Sequence, residues 1–176
     1  MIIRAMTLEE LDRLTEIDVS EDGTIVYTFK NGIMEAAPEE WHRPQWAPGE
    51  WRQGTWTRFL DESGILIWGC FEEDRLAGIV VYRPRLTGSM AQLLALFVSK
   101  DQRRKSIASR LCQRLYQAAI QDGHNALYVS ATPSKSAVGF YLSEGFAPTQ
   151  DVHPELFALE PEDIHMVKQL PDFQLD

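Results

Sequence analysis

The stretch Leu93–Ala119, LLALFVSKDQRRKSIASRLCQRLYQAA, constrains the fold more than any other part of this chain. Leu93 to Val98 is an apolar run of strand length, and a polar turn follows over Lys100–Lys105. Ile107, Leu111, Leu115 and Ala118/Ala119 then recur at helical spacing, with Arg110, Gln113, Arg114 and Gln117 on the opposite face. The order is strand, tight basic turn, amphipathic helix. A helix that starts directly after a strand presents unpaired N–H groups and the positive end of its dipole. Such a start suits a phosphate or pyrophosphate. Arg103, Arg104 and Lys105 add positive charge to it, although a solvated helix start would carry the same residues.

The remaining chain bounds what this unit belongs to. A length of 176 residues with 44% hydrophobic and 24% charged side chains suits one domain with a full core. No uncharged apolar run approaches the roughly 20 residues that span a bilayer. The acids of MIIRAMTLEELDRL come too early for a signal peptide. A net charge of −9 argues against nucleic-acid binding, which needs a basic footprint, and is compatible with a cationic substrate. Cys70 and Cys112 sit in apolar segments and read as buried thiols, so a reducing cytoplasm is the expected location. His42, His124, His153 and His165 show no metal-ligand spacing, and no metal is expected.

Taken in order, Ile2–Met6 reads as a strand. Thr7 and Glu10 form a capping box for a helix burying Leu8, Leu11, Leu14 and Ile17. Thr24–Phe29, then Asn31-Gly32, then Ile33-Met34 predict a hairpin. Trp41, Trp46, Trp51 and Trp56 follow at five-residue intervals among Pro and Gly. Five is neither the helical nor the strand period, so these rings either pack a loop-rich segment onto the core or form an aromatic wall for a cation. A short helix is expected over Glu50–Leu60. Ile65–Phe71, Leu76–Tyr82 and Met90–Val98 predict an antiparallel meander. The organising helix ends near Asp122-Gly123, and Ala126–Ser130 should lie parallel to Leu93–Val98 through a right-handed crossover. A second helix is expected over Ser136–Glu144, ending at Gly145. Phe146–Pro148 begins a strand, Asp151–Asp163 reads as an acidic linker, and Ile164–Lys168 as a final strand. The last few residues are expected to be loose.

Two motifs in this order resemble the GNAT superfamily of N-acetyltransferases. Arg103, Arg104, Lys105, Ser106, Ile107 and Ala108 resemble its pyrophosphate loop, Q/R-x-x-G-x-G/A, with Ser106 in place of the first glycine. Ser134, Ala137, Phe140, Tyr141, Gly145 and Phe146 resemble its N-x-x-A-x-x-F-Y signature and the G-F after it, with Ser134 in place of Asn. The strand–helix start is also shared, whereas the region of about 23–57 departs from the family and reads as a hairpin insertion or an extended lid.

The resemblance implies an α/β fold with a mixed, mostly antiparallel central sheet of about six to seven strands and flanking helices. It implies acetyl-CoA as co-substrate. The family's bulged, splayed strands would hold pantetheine at Leu96 and Val98, Arg103 to Ser109 would hold the pyrophosphate, and Ser134 would be a further coenzyme-binding residue. It implies Tyr141 as the acid that protonates the departing thiolate, and the Val98 amide as a donor to the oxyanion. The acceptor would be a primary amine of a small molecule, in a monomer or homodimer. Its floor in the family comes from the segment before the first long hairpin, here the tryptophan region. Some relatives carry a carboxylate base on the strand before the loop, but between Met90 and Val98 only Gln92 is polar. Glu35, Glu50, Asp61, Glu62 or a water are the alternatives, and none is assigned. The competing readings are an acyl-CoA-binding module without turnover and an α/β domain with no such site.

Overall fold

The computed structural model describes residues 1–171. The closing residues, expected to be loose, lie outside the described residues. From the N-terminus the chain runs through β1 (Ile2–Ala5), a 3-10 helix over Glu9–Glu16, and a hairpin of β2 (Glu21–Lys30) and β3 (Ile33–Arg43). Two 3-10 turns over Glu50–Gln53 and Thr55–Phe59 lead into β4 (Leu66–Glu72), β5 (Arg75–Arg83) and β6 (Met90–Val98). Then come α1 (Ile107–Gln121), β7 (Ala126–Ala131), α2 (Lys135–Ser143), β8 (Ala147–Pro148), α3 (Pro154–Leu159) and β9 (Ile164–Gln169). Seven strands form one sheet in the order β1-β4-β5-β6-β7-β9-β8, and β2-β3 form a sheet of their own. Among the described residues only β6 and β7 pair in parallel, joined through α1 as a crossover requires. The mixed, mostly antiparallel sheet with flanking helices is therefore present.

Both faces of the sheet are covered, which is why β5 is apolar along nearly its whole length. On one face Val80 and Tyr82 pack under Ile107, Leu111 and Leu115 of α1, all buried. On the other, Ile79 and Val81 meet Leu11, Leu14 and Ile17 of the first 3-10 helix, with Trp51 and Trp56. Gly78 permits the close seating of α1, because a Cβ there would stand 3.1 Å from Ile107 Cγ2 and 3.1 Å from the Phe97 carbonyl oxygen. Both cysteines are buried free thiols, and no helix among the described residues is long and apolar enough to cross a membrane.

Several expectations need correction. The first helix is 3-10 rather than α, and Leu8 is 45% exposed rather than buried. Of the capping box only the Glu10 half forms: its carboxylate accepts the Thr7 N–H at 3.0 Å. The expected helix over Glu50–Leu60 is two 3-10 turns broken at Gly54. The hairpin turns at Asn31-Gly32, both at positive φ, but its second strand continues to Arg43. Trp41 thus stands on a strand, with its indole over Gly23 and its N–H donated to the Ile25 carbonyl at 3.1 Å. The acidic linker is partly helical, because Leu156 of α3 buries itself against Tyr128 and Phe59.

The pairing of β6 with β7 is short. It covers Met90↔Ala126, Ala91↔Leu127 and Gln92↔Tyr128 and then stops. Where it stops, β6 also slips against β5: Val81 faces Ala95 but Tyr82 faces Leu93, leaving Leu94 as the extra residue of a bulge. From Leu93 on, β6 is a central strand with one edge unpaired.

Candidate active site

A cavity of about 620 Å³ fills the gap between the diverging strands. It reaches from the start of α1, past the free edge of β6 and α2, to the turn before β9. Among the residues expected from the sequence, Leu96, Val98, Arg103, Arg104, Ser106, Ile107, Ala108, Ser109, Ser134 and Tyr141 all line it. Lys105 is outside the lining, its ammonium 2.8 Å from Gln102 Oε1.

The free edge of β6 has a definite polarity. Ser99 donates its N–H to Ala77 O at 2.9 Å, so the backbone groups of residue 99 face β5. Alternation along an antiparallel strand then turns the amides and carbonyls of Leu96 and Val98 the other way, into the gap. An extended chain bearing amides could pair there as an added strand.

At the start of α1, Arg110 is the first residue whose N–H reaches back into the helix, to Ser106 O at 3.0 Å. The amides of Ile107, Ala108 and Ser109 have no backbone acceptor among the described residues. Arg104 and Ser106 both take positive φ, 66° and 58°. This left-handed pair concentrates N–H groups in a concave turn, a form suited to anions. Ser106 occupies a position that glycine adopts without strain, and L-residues pay about 1–2 kcal/mol there. Ser106→Gly should therefore stabilise the protein by about 0.5 kcal/mol after the added chain entropy of glycine, seen as a melting temperature about 1–2 °C higher. A lower melting temperature would show that the Ser106 hydroxyl carries part of the turn. Behind the turn, Glu21 joins the hairpin to the loop: it bonds Arg43 at 2.9 Å and lies 3.4 Å from Arg103.

Ser134 caps α2, accepting the Ala137 N–H at 3.2 Å, and its hydroxyl is also 3.1 Å from that of Ser136. Two turns later, Tyr141 is 7% exposed and its ring lies 5.4 Å from those of both Phe140 and Phe146. The other buried tyrosines place their hydroxyls firmly: Tyr82 on Asp122, Tyr116 on Glu144, Tyr128 on His165. Tyr141 alone among these four has no hydrogen-bond partner in the described residues, and it lines the cavity. Burial, with Cys112 and Asp163 nearby, pushes its phenol well above the ordinary value, so it stays protonated.

Of the far end of the cavity, the sequence points only to Trp56, within the tryptophan segment. Thr55, Trp56, Phe59, Leu156, Leu159, Glu160 and Asp163 line that end. Of the four spaced tryptophans, Trp56 alone contributes, and Trp46, Trp51 and Trp56 chiefly pack together with Phe97. None of the carboxylates weighed as a base, Glu35, Glu50, Asp61 or Glu62, is in the lining. Glu62 is committed to Arg83, gripping its guanidinium at 2.7 Å through both oxygens. Glu160 and Asp163 lie in the stretch that read as a linker. The signal that could have found them is position: Asp163 directly precedes a strand that pairs with the end of β7.

Three comparisons bear on this arrangement. The family model described as "Acetyltransferase (GNAT) domain" matches residues 27–166. N-acetyltransferase 8 from Homo sapiens is 31% identical over 122 residues, 64% of this chain and 53% of that protein, so the chain spans about half the length of this curated relative. Among solved structures, nourseothricin acetyltransferase superposes with a TM-score of 0.72 at 15% identity, over 97% of this chain and 98% of that one. The PaiA N-acetyltransferase of Thermoplasma acidophilum, solved in complex with coenzyme A, gives 0.61 at 18% identity, over 96% and 98%. At such identities these structures speak to the fold.

Proposed function

Since the chain belongs to the GNAT acetyltransferase family, we propose that it transfers an acetyl group from acetyl-CoA to a primary amine of a small molecule. One observation carries this reading. A single cavity brings together an unpaired helix start, an unzipped strand edge and a phenol with no hydrogen-bond partner among the described residues. Each matches a different part of the co-substrate. The pyrophosphate would rest on the amides of Ser106 to Ser109, with Arg103 and Arg104 supplying charge and Lys105 at the margin. The pantetheine amides would pair with Leu96 and Val98. Ser134, capping α2, would flank the arm. The thioester then falls beside Tyr141.

Attack by the neutral amine forms the C–N bond and pushes the carbonyl electrons onto oxygen, where the Val98 N–H can stabilise them. Collapse breaks the C–S bond with its electron pair on sulfur. Tyr141 gives its proton to that sulfur and is restored by a proton leaving the nitrogen. A donor that burial keeps protonated across the working pH range suits this role.

The test is thiol release from acetyl-CoA in the presence of a panel of primary amines: spermidine, tyramine, lysine and streptothricin. Amine-dependent thiol release with the mass of an N-acetyl product is expected. Saturable acetyl-CoA binding with no release above background for any amine would favour a binding module instead.

A further inference from the structure

We propose that Asp163 is the base that takes the proton from the acceptor's ammonium, with Glu160 beside it as the counter-charge that seats the cation. This deepens the proposed acetyl transfer and rests on it. Both carboxylates line the cavity at the end away from the helix start. Ile164 pairs with Ala131 at the end of β7, so Asp163 stands beside the end of β7 that has parted from β6. Its charge is felt by Tyr141, whose hydroxyl has no hydrogen-bond partner among the described residues and which lines the same cavity. An acid and a base would thus flank the place where amine and thioester meet.

The turn that carries them is held rigidly. His165 Nε2 donates to the Glu160 carbonyl at 2.9 Å, and Tyr128 donates its hydroxyl to His165 Nδ1 at 2.7 Å. Burial keeps this histidine below its ordinary pKa, which fits the neutral tautomer. Glu160 also accepts the Thr55 hydroxyl. No hydrogen bond or ion pair of the Asp163 side chain occurs among the described residues, although it is partly buried. Burial first, then the Glu160 charge, push its carboxyl up to about 7. The other charged groups of the lining do not offset this: Arg43 and Arg103 are engaged with Glu21, and Arg104 is at the exposed turn. A carboxylate near 7 is matched to accepting a proton at neutral pH.

The protons balance as follows. Asp163 takes one from the ammonium, freeing the lone pair for attack, and passes it to water. The second nitrogen proton leaves after C–N bond formation and replaces the one Tyr141 gave to sulfur. The sum is one amide, one thiol and one proton released.

The experiment compares wild type, Asp163→Asn and Asp163→Glu in the thiol-release assay from pH 6 to 10. The expected Asp163→Asn result is a kcat/KM lower by about 10²-fold or more at pH 7, with the acetyl-CoA Kd unchanged. The inflection near pH 7 should vanish, and the residual rate should climb about tenfold per pH unit as the free amine supplies itself. Asp163→Glu should recover part of the loss. A kcat/KM within threefold of wild type with the inflection intact would overturn the assignment. If the wild type acetylates no amine in the panel, the proposed transfer fails by itself. Asp163 is then judged by carboxyl 13C NMR of the acetyl-CoA complex: a midpoint near 7 supports it, and one below 5 overturns it. Folding of Asp163→Asn is checked by melting. A raised carboxyl binds its proton in the folded state between pH 4 and 7, so wild-type stability falls across that window and the variant should melt higher than wild type at pH 8.

Discussion

Replacing Tyr141 with phenylalanine is expected to lower kcat for amine acetylation by about 10²–10⁴-fold while leaving the Kd for acetyl-CoA unchanged. The substitution deletes one oxygen that makes no protein hydrogen bond among the described residues, and it keeps the ring between Phe140 and Phe146. No partner is orphaned, so the fold should not suffer. Stability should stay within about 0.5 kcal/mol of wild type. This separates Tyr141 from Tyr82, whose hydroxyl bonds Asp122 at 2.8 Å, and Tyr116, whose hydroxyl bonds Glu144 at 2.9 Å. The same change there leaves a carboxylate short of a donor. Stopped-flow thiol release with calorimetric acetyl-CoA binding measures both quantities. A variant that keeps its rate would remove Tyr141 from the chemistry, and one that loses affinity in step with rate would make it a binding residue.

The second large effect concerns the seat of α1. Gly78→Val should lower the melting temperature by about 2–12 °C and weaken acetyl-CoA binding at least tenfold. Valine suits a strand better than glycine does, so propensity alone predicts a gain. Sterics reverse it. A Cβ would stand 3.1 Å from Ile107 Cγ2, 3.1 Å from the Phe97 carbonyl oxygen and 3.3 Å from Leu111 Cδ1. Two further methyls force α1 outward, at a cost of about 1–3 kcal/mol and about 2–4 °C for each kcal/mol in a chain of this size. Ile107 is the first residue of α1, and Gly78 lies directly across from Val98. The displacement therefore reaches both the helix start and the strand edge. A variant that melts lower but binds acetyl-CoA as wild type would show that the site does not depend on this packing.

Local pattern carried most of the architecture. Met90–Val98 forms its strand with the expected ends because six apolar residues run into a polar turn. α1 stops at the Asp122-Gly123 pair because Gly123 takes a φ of 80° that other residues avoid. Asn31-Gly32 turns the hairpin for the same reason. What stayed hidden depended on distant partners. The 3-10 form of Glu9–Glu16 has the same apolar spacing as an α-helix. Trp41 belongs to a strand because its ring covers Gly23, eighteen positions earlier.

The site divided in the same way. Its helix start sits inside a short stretch with its own pattern, whereas Leu96, Val98 and Tyr141 are named through the family resemblance, and all of them line the cavity. The far end of the cavity draws on Thr55, Trp56, Phe59, Glu160 and Asp163, which are adjacent only once β9 has paired with β7. Polar residues between two strands read as a linker, and no periodicity marks Asp163 as facing inward. Glu62 shows the converse: an available carboxylate in sequence, it is bound to Arg83 in the fold.

The most direct test is a crystal structure of the protein grown with acetyl-CoA. The account predicts the pyrophosphate against the amides of Ser106–Ser109 and the pantetheine arm bonded to Leu96 and Val98 between β6 and β7. It places the thioester carbonyl within hydrogen-bond reach of the Val98 amide, with its sulfur beside the Tyr141 hydroxyl. Density showing β6 and β7 paired beyond Gln92, with the coenzyme elsewhere or absent, would contradict it.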